Sequence, residues 1–154
     1  MADIWLQKVV VLACVLVVSS HTLSHHKKRC NVSGTWMNEL GSVLTLTVKG
    51  PQLSGSLHSS VETSKGAAGD EKMGKVVGVI GDGDQPTFTM SVKWSGGSVS
   101  TWAGQCFWRT SCPVLRTIWL LRSEVGTEDK NWEATRIGED IFQPQKACDL
   151  DQLS

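Results

Sequence analysis

Thr87-Phe88-Thr89-Met90-Ser91-Val92-Lys93-Trp94 alternates without a break. Phe88, Met90, Val92 and Trp94 fall on one side, and Thr87, Thr89, Ser91 and Lys93 on the other. A period of two puts every second side chain on the same face, so the segment reads as a strand with one apolar face. Working outward, turn chemistry bounds it: Gly81-Asp82-Gly83-Asp84 before and Gly96-Gly97 after. Leu44, Leu46 and Val48 alternate with Thr45 and Thr47 in the same way, and Lys49-Gly50-Pro51 ends that run. Strands are predicted at 34–38, 43–48, 52–58, 73–80, 87–94, 98–108, 114–122 and 132–142, the fourth weakened by its glycines. Residues 59–72 form a polar loop without periodicity, and 126–131 suit one short turn.

Eight short strands at regular spacing suggest a sandwich or a closed barrel. The short consecutive connections favour an all-β, eight-stranded antiparallel up-and-down β-barrel. Such a barrel has an interior wide enough for one small ligand.

The 154 residues suit one domain, and the formal net charge of zero argues against nucleic acid as a partner. Seven Trp against three Phe and no Tyr is unusual. Trp serves cores, interfaces and ligand sites alike, so the count alone does not separate them. Lys8 followed by an apolar run over 9–18 reads as a secretory signal of residues 1–20, cleaved at about 19–24. That run is too short to cross a membrane, which takes about 20 residues, so no membrane partner is expected. Residues 21–29 follow as a short basic tail, and 143–154 are read as a C-terminal tail after a barrel domain at 30–142.

Cys14 lies within the signal, leaving Cys30, Cys106, Cys112 and Cys148. An even number in a secreted chain implies disulfides, with three pairings open. No Cys-x-x-Cys with paired His suggests zinc, so metal ligands are expected to be none. Asn31-Val32-Ser33 is a glycosylation sequon.

Five segments, in order and at nearly constant spacing, carry a resemblance. They are Cys30-Asn31-Val32-Ser33-Gly34-Thr35-Trp36-Met37-Asn38-Glu39-Leu40-Gly41-Ser42, Gln85-Pro86-Thr87-Phe88, Gly104-Gln105-Cys106-Phe107, Trp119-Leu120-Leu121-Arg122-Ser123 and Trp132-Glu133-Ala134-Thr135-Arg136-Ile137-Gly138. Together they resemble the avidin family. The resemblance implies a barrel that sequesters biotin without chemistry or cofactor, as a homotetramer.

Residue by residue, the resemblance implies that Asn38 and Ser42 donate to the ureido oxygen of biotin. It makes Asp140 accept from one ureido nitrogen, Ser59 accept from the other, and Ser100 contact the sulfur. Trp94, Trp102, Trp119 and Trp132 form the apolar sleeve, Trp132 being lent to a neighbouring subunit. Thr63 and Ser64 meet the carboxylate tail. Trp36 closes the barrel core, and Trp108 has no family counterpart. Cys30 and Cys106 match the family's disulfide. Cys112 and Cys148 are extra; they join each other or link subunits.

Two departures matter. Leu57 stands where the family has a Tyr whose hydroxyl bonds the ureido oxygen. Losing that bond costs about 1.5–3 kcal/mol, on the order of ten- to two-hundredfold in affinity. Glu62 adds a negative charge near the anionic end of the ligand. Trp102 also stands where avian members usually have Phe.

Three classes of function compete. The first is a secreted biotin binder with reduced affinity. The second keeps the fold but prefers a more apolar small molecule, since Leu57 removes a polar group from the pocket floor. The third, an enzyme, lacks a base held against a nucleophile, and no catalytic residues are expected.

Overall fold

The alternation at 87–94 becomes a strand whose odd and even residues face opposite environments. Phe88, Met90 and Val92 are 3%, 0% and 2% exposed, while the residues between them face outward. The computed structural model describes residues 29–62, 65–66, 68–109, 112–146 and 148. The secretory signal read at 1–20, the basic stretch at 21–28, Thr63, Ser64 and most of the tail beyond 146 lie outside the described residues.

Eight strands follow one another: β1 (Gly34–Asn38), β2 (Val43–Lys49), β3 (Gln52–His58), β4 (Met73–Ile80), β5 (Thr87–Lys93), β6 (Val99–Trp108), β7 (Pro113–Arg122) and β8 (Thr135–Pro144). Each pairs antiparallel with the next, and β8 returns to β1 with Asn38 opposite Phe142 and Trp36 opposite Pro144. The sheet is a closed up-and-down barrel. Closure removes the unpaired edges that an open sheet would expose.

The expected weakness of β4 is not a weakness. A side chain at Gly78 would place its first carbon 2.0 Å from the Thr89 carbonyl oxygen, and one at Gly74 would lie 2.1 Å from Val92. Those glycines are where adjacent strands and inward side chains come too close for anything larger.

One end of the interior is packed. Val32, Trp36, Leu44, Leu46, Leu53, Phe88 and Leu115 are among its fully buried side chains. Trp36 is 2% exposed and donates its indole N–H to the Val32 carbonyl at 2.9 Å, so burial leaves no polar atom unpaired. The Cys30–Cys106 disulfide ties the segment before β1 to β6. Trp108 ends β6, where its backbone N–H donates to Gln85 Oε1 at 2.7 Å.

A second disulfide joins Cys112, at the β6–β7 hairpin, to Cys148, past β8. Of the two roles left open for these cysteines, the bridge lies within one chain.

The last connection corrects the expected boundaries. A 3-10 helix spans Glu128–Glu133, and β8 starts only at Thr135, so Trp132 is not a strand residue. Arg122 holds this helix against β7 by donating to Asn131 Oδ1 and, at 2.9 Å, to Thr135 Oγ1. Trp132 therefore stands on a fixed segment, 81% exposed. Likewise β5 stops at Lys93, one residue before Trp94.

Candidate functional site

The barrel interior opposite the packed end stays open, as a cavity of about 180 Å³. Nine of the anticipated site residues line it: Asn38, Ser42, Leu57, Ser59, Trp94, Ser100, Trp102, Trp119 and Asp140. They come from seven separate strands or strand ends. Closure of the barrel gathers them, because each is the inward member of its own alternation. Trp132 does not line the cavity of its own chain.

Asn38, Asp140 and Trp102 form one connected set, with the Ser42 backbone joined to it. Asn38, 7% exposed, accepts from the backbone N–H groups of Leu40 and Ser42 at 3.1 and 2.8 Å. Those two bonds consume its carbonyl oxygen and orient its amide. Asn38 Nδ2 then donates to Asp140 Oδ1 at 3.0 Å. Trp102 Nε1 donates to the other carboxylate oxygen of Asp140, also at 3.0 Å. Asp140 is fixed from two sides, with one lone pair on each oxygen left to accept. Burial pushes the Asp140 carboxyl above its ordinary range; the bonds from Trp102 and Asn38 oppose that rise, and the nearby Glu39 charge adds to it.

Ser100 Oγ accepts from Trp94 Nε1 at 2.9 Å and keeps its own proton free to donate. Ser59 Oγ donates to the Val61 carbonyl at 2.7 Å and accepts from the Val61 N–H at 3.3 Å, which leaves it one lone pair. Ser42 Oγ accepts from the Ser60 backbone N–H and stands 3.0 Å from Ser60 Oγ.

The apolar walls are Trp94, Trp102 and Trp119. Trp119 approaches the backbone of β8 so closely that a side chain on Gly138 would lie 2.5 Å from its ring. Leu57 is 3% exposed. It adds carbon surface to the cavity lining.

Eight lining residues were not singled out as ligand contacts by sequence: Leu40, Val61, Glu62, Ala68, Ser98, Leu121, Arg136 and Phe142. Arg136, Leu121 and Phe142 carry a legible signal, since they share strand parity with residues that were chosen. The others sit in loops, where no periodicity reports direction. Arg136 is exposed, and its guanidinium makes no hydrogen bond or ion pair among the described residues.

Glu62 does not present a free negative charge. Its carboxylate accepts from the Gly66 backbone N–H at 2.6 Å and pairs with Lys72 Nζ at 3.2 Å. The Gly66 bond, seconded by Lys72, holds this carboxyl below its ordinary range. Lys72 adopts a left-handed backbone conformation, φ 49°, and its carbonyl accepts from the Ser59 N–H at 2.8 Å. The loop between β3 and β4 is thereby closed on itself beside the cavity.

Among the described residues no group of three His, Cys, Asp or Glu is placed to hold a metal ion, and no helix is long and apolar enough to cross a membrane.

Comparison with known proteins agrees with this architecture. The family model described as the avidin family matches residues 26–145. Avidin of Gallus gallus is 33% identical over 119 residues, covering 75% of this chain and 78% of avidin. The crystal structure of Xenavidin superposes with a TM-score of 0.70 at 32% identity, covering 75% of this chain and 98% of that one. The X-ray structure of a biotin binding protein from chicken does so with a TM-score of 0.70 at 32% identity, covering 77% and 99%.

Proposed function

We infer the function from one premise: the chain belongs to the avidin family. We propose that it is a secreted binding protein that sequesters biotin in the cavity of its barrel and performs no chemistry on it. Family avidins are non-catalytic binding proteins.

The observation that carries this reading is the Asp140 carboxylate, gripped by Asn38 and Trp102 at one end of a tryptophan-walled cavity. A ureido ring needs N–H acceptors and an oxygen donor; a thiophene ring needs apolar walls. Asp140 and Ser59 accept from the two ureido nitrogens. Asn38, with one amide proton unspent, donates to the ureido oxygen. Ser100 offers its proton to the sulfur, and Trp94, Trp102 and Trp119 sandwich the carbon skeleton. A charge-assisted bond to an ionised carboxylate is about twice as strong as a neutral one, which makes Asp140 the anchor. Leu57 supplies no third donor to the ureido oxygen, so affinity falls below that of a site with a Tyr. Thr63 and Ser64 receive the carboxylate tail.

We place the protein in a homotetramer in which Trp132 covers a neighbour's site. An 81% exposed Trp on a pinned segment supports this. So does the outer barrel face, where Val77, Leu120 and Ile137 lie in one register row, exposed by 54%, 39% and 78%.

A second reading has its own support. Leu40, Leu57, Val61, Leu121 and Phe142 make much of the lining apolar, which suits a less polar small molecule.

Titration of the secreted protein with biotin, followed by Trp fluorescence and calorimetry, tests the proposal. Saturable quenching with heat at micromolar protein is expected. Absence of both would sink it, and tighter binding of a sterol or fatty acid than of biotin would decide for the second reading.

A further inference from the structure

Each polar group of the cavity has protons and lone pairs to spend, and the spending is countable. Asn38 keeps one donor, Ser100 keeps one donor, and Ser59 and Asp140 keep acceptors. Ser42 is the exception. It is 5% exposed and lines the cavity, yet its proton and one of its two lone pairs are both directed at one neighbour.

That neighbour is Ser60. Its backbone N–H donates to Ser42 Oγ at 3.0 Å. Its hydroxyl donates to the Leu40 carbonyl at 2.6 Å, a bond in which only the hydroxyl has a proton to give. A serine hydroxyl has a single proton. With that proton spent on Leu40, the 3.0 Å contact between Ser60 Oγ and Ser42 Oγ requires Ser42 to donate.

We propose that Ser60 is a positioning residue that lowers ligand affinity: its hydroxyl, anchored on the Leu40 carbonyl, draws the Ser42 proton away from the cavity. A ligand oxygen that reaches Ser42 must compete with Ser60 for that proton. Leu57 and Ser60 then act together at this end of the site. Leu57 offers no donor, and Ser60 occupies that of Ser42, leaving Asn38, whose amide is oriented by Leu40 and Ser42, with an uncommitted proton beside them.

Biotin is the probe, a choice that rests on the proposed function. Ser60 is exposed and outside the cavity lining, so Ser60→Ala removes the competitor without opening the core. S60A is expected to bind biotin roughly three- to tenfold more tightly than the wild type, the scale of one hydrogen bond. Ser60→Thr, which keeps the hydroxyl, is expected to match the wild type. Ser42→Ala should cost less than about twofold in the wild type and several-fold more in the S60A background. Unchanged or weaker binding by S60A, or an equal cost of S42A in both backgrounds, overturns the proposal.

A measurement without ligand separates this from the biotin reading. The exchange of the Ser42 hydroxyl proton with water, followed by NMR, is expected to be slow in the wild type and S60T and fast in S60A. Equal exchange in the wild type and S60A overturns the role of Ser60 whatever the ligand. If no variant takes up biotin, the biotin reading falls, and the exchange measurement alone decides on Ser60.

Discussion

The indole N–H of Trp102 donates to a carboxylate oxygen of Asp140 at 3.0 Å, across the cavity from β6 to β8. These strands are not neighbours; β7 lies between them. The bond exists because Trp102 and Asp140 both point inward from opposite sides of that strand. A Phe at position 102 fills similar space but has no proton to give. The residue that looked like a bulkier wall is also a hydrogen-bond donor to the strongest acceptor in the site.

Replacing Trp102 by Phe therefore removes more than carbon surface. Bonds to charged acceptors contribute about 1.5–3 kcal/mol, and Asp140 is only half-buried, so about 1–2 kcal/mol is expected here. Because the bond is already made in the free protein, stability should fall by about this amount in urea unfolding, and biotin affinity by a smaller factor as Asp140 loses one of its two fixing bonds. The Asp140 carboxyl, having lost one of the bonds that hold it down, should titrate still higher by NMR.

Leu57→Tyr is expected to act in the opposite direction. A hydroxyl reaching the ureido oxygen restores a donor at the floor of the cavity, and biotin affinity should rise by about tenfold or more. Displacement of a fluorescent biotin conjugate reads this directly. No gain would show that the donor deficit does not limit binding.

Acid should affect folding and binding in opposite senses. Asp140 has a folded-state pKa above its unfolded one, so its contribution to stability is fully present below the unfolded pKa. That contribution is lost as pH rises through the folded pKa. The stability of Asp140→Asn minus that of the wild type should thus grow as pH rises through this window and flatten above it, in urea unfolding series. In the proposed site, the ionised form is the stronger acceptor for the ureido N–H groups. Wild-type affinity should fall as pH drops through the raised pKa, above the ordinary carboxylate value, while D140N shows no such step.

Arg136 is exposed at the cavity without an ion-pair partner among the described residues, so an anionic ligand group that reaches it would meet an unneutralised cation. Arg136→Gln should weaken biotin by about two- to fivefold, the scale of an exposed ion pair. Biotin amide, lacking the charge, should bind both proteins alike, and the difference should fade in high salt.

Trp132→Ala should weaken biotin only where subunits meet. Light scattering with parallel titrations checks this: the loss is expected in the assembled protein and not in a dissociated one. Reductant should not release subunits, since Cys112 pairs with Cys148 inside one chain.

The fold was legible in the sequence because strand alternation is local. Val43 to Val48 and Thr87 to Trp94 declare their faces through a period of two, and the observed burial follows it residue by residue. The last strand was misjudged at its start. Trp132 suits a strand by propensity, but the 3-10 helix at Glu128–Glu133 is held by Arg122, a contact from another element that propensity does not encode. The Gly74 and Gly78 positions misled for a related reason. A glycine lowers strand propensity locally, and only the packed neighbours, Val92 and Thr89, show why it is required.

By itself, the sequence determined the eight strands, through turn residues and alternation, and the family, through five motifs in order. The resemblance, rather than periodicity, singled out Asn38, Leu57, Trp102 and Asp140 for the cavity. The tertiary structure decided where each proton goes. Glu62 looked like an uncompensated charge until Gly66 and Lys72 were found on it, and Ser42 looked like a free donor until Ser60 was found beside it. The physical reason is reach. A hydrogen bond is decided within about 3 Å, and whether Gly66 and Lys72 reach Glu62, or Trp102 reaches Asp140, depends on how the backbone turns in space and not on spacing along the chain.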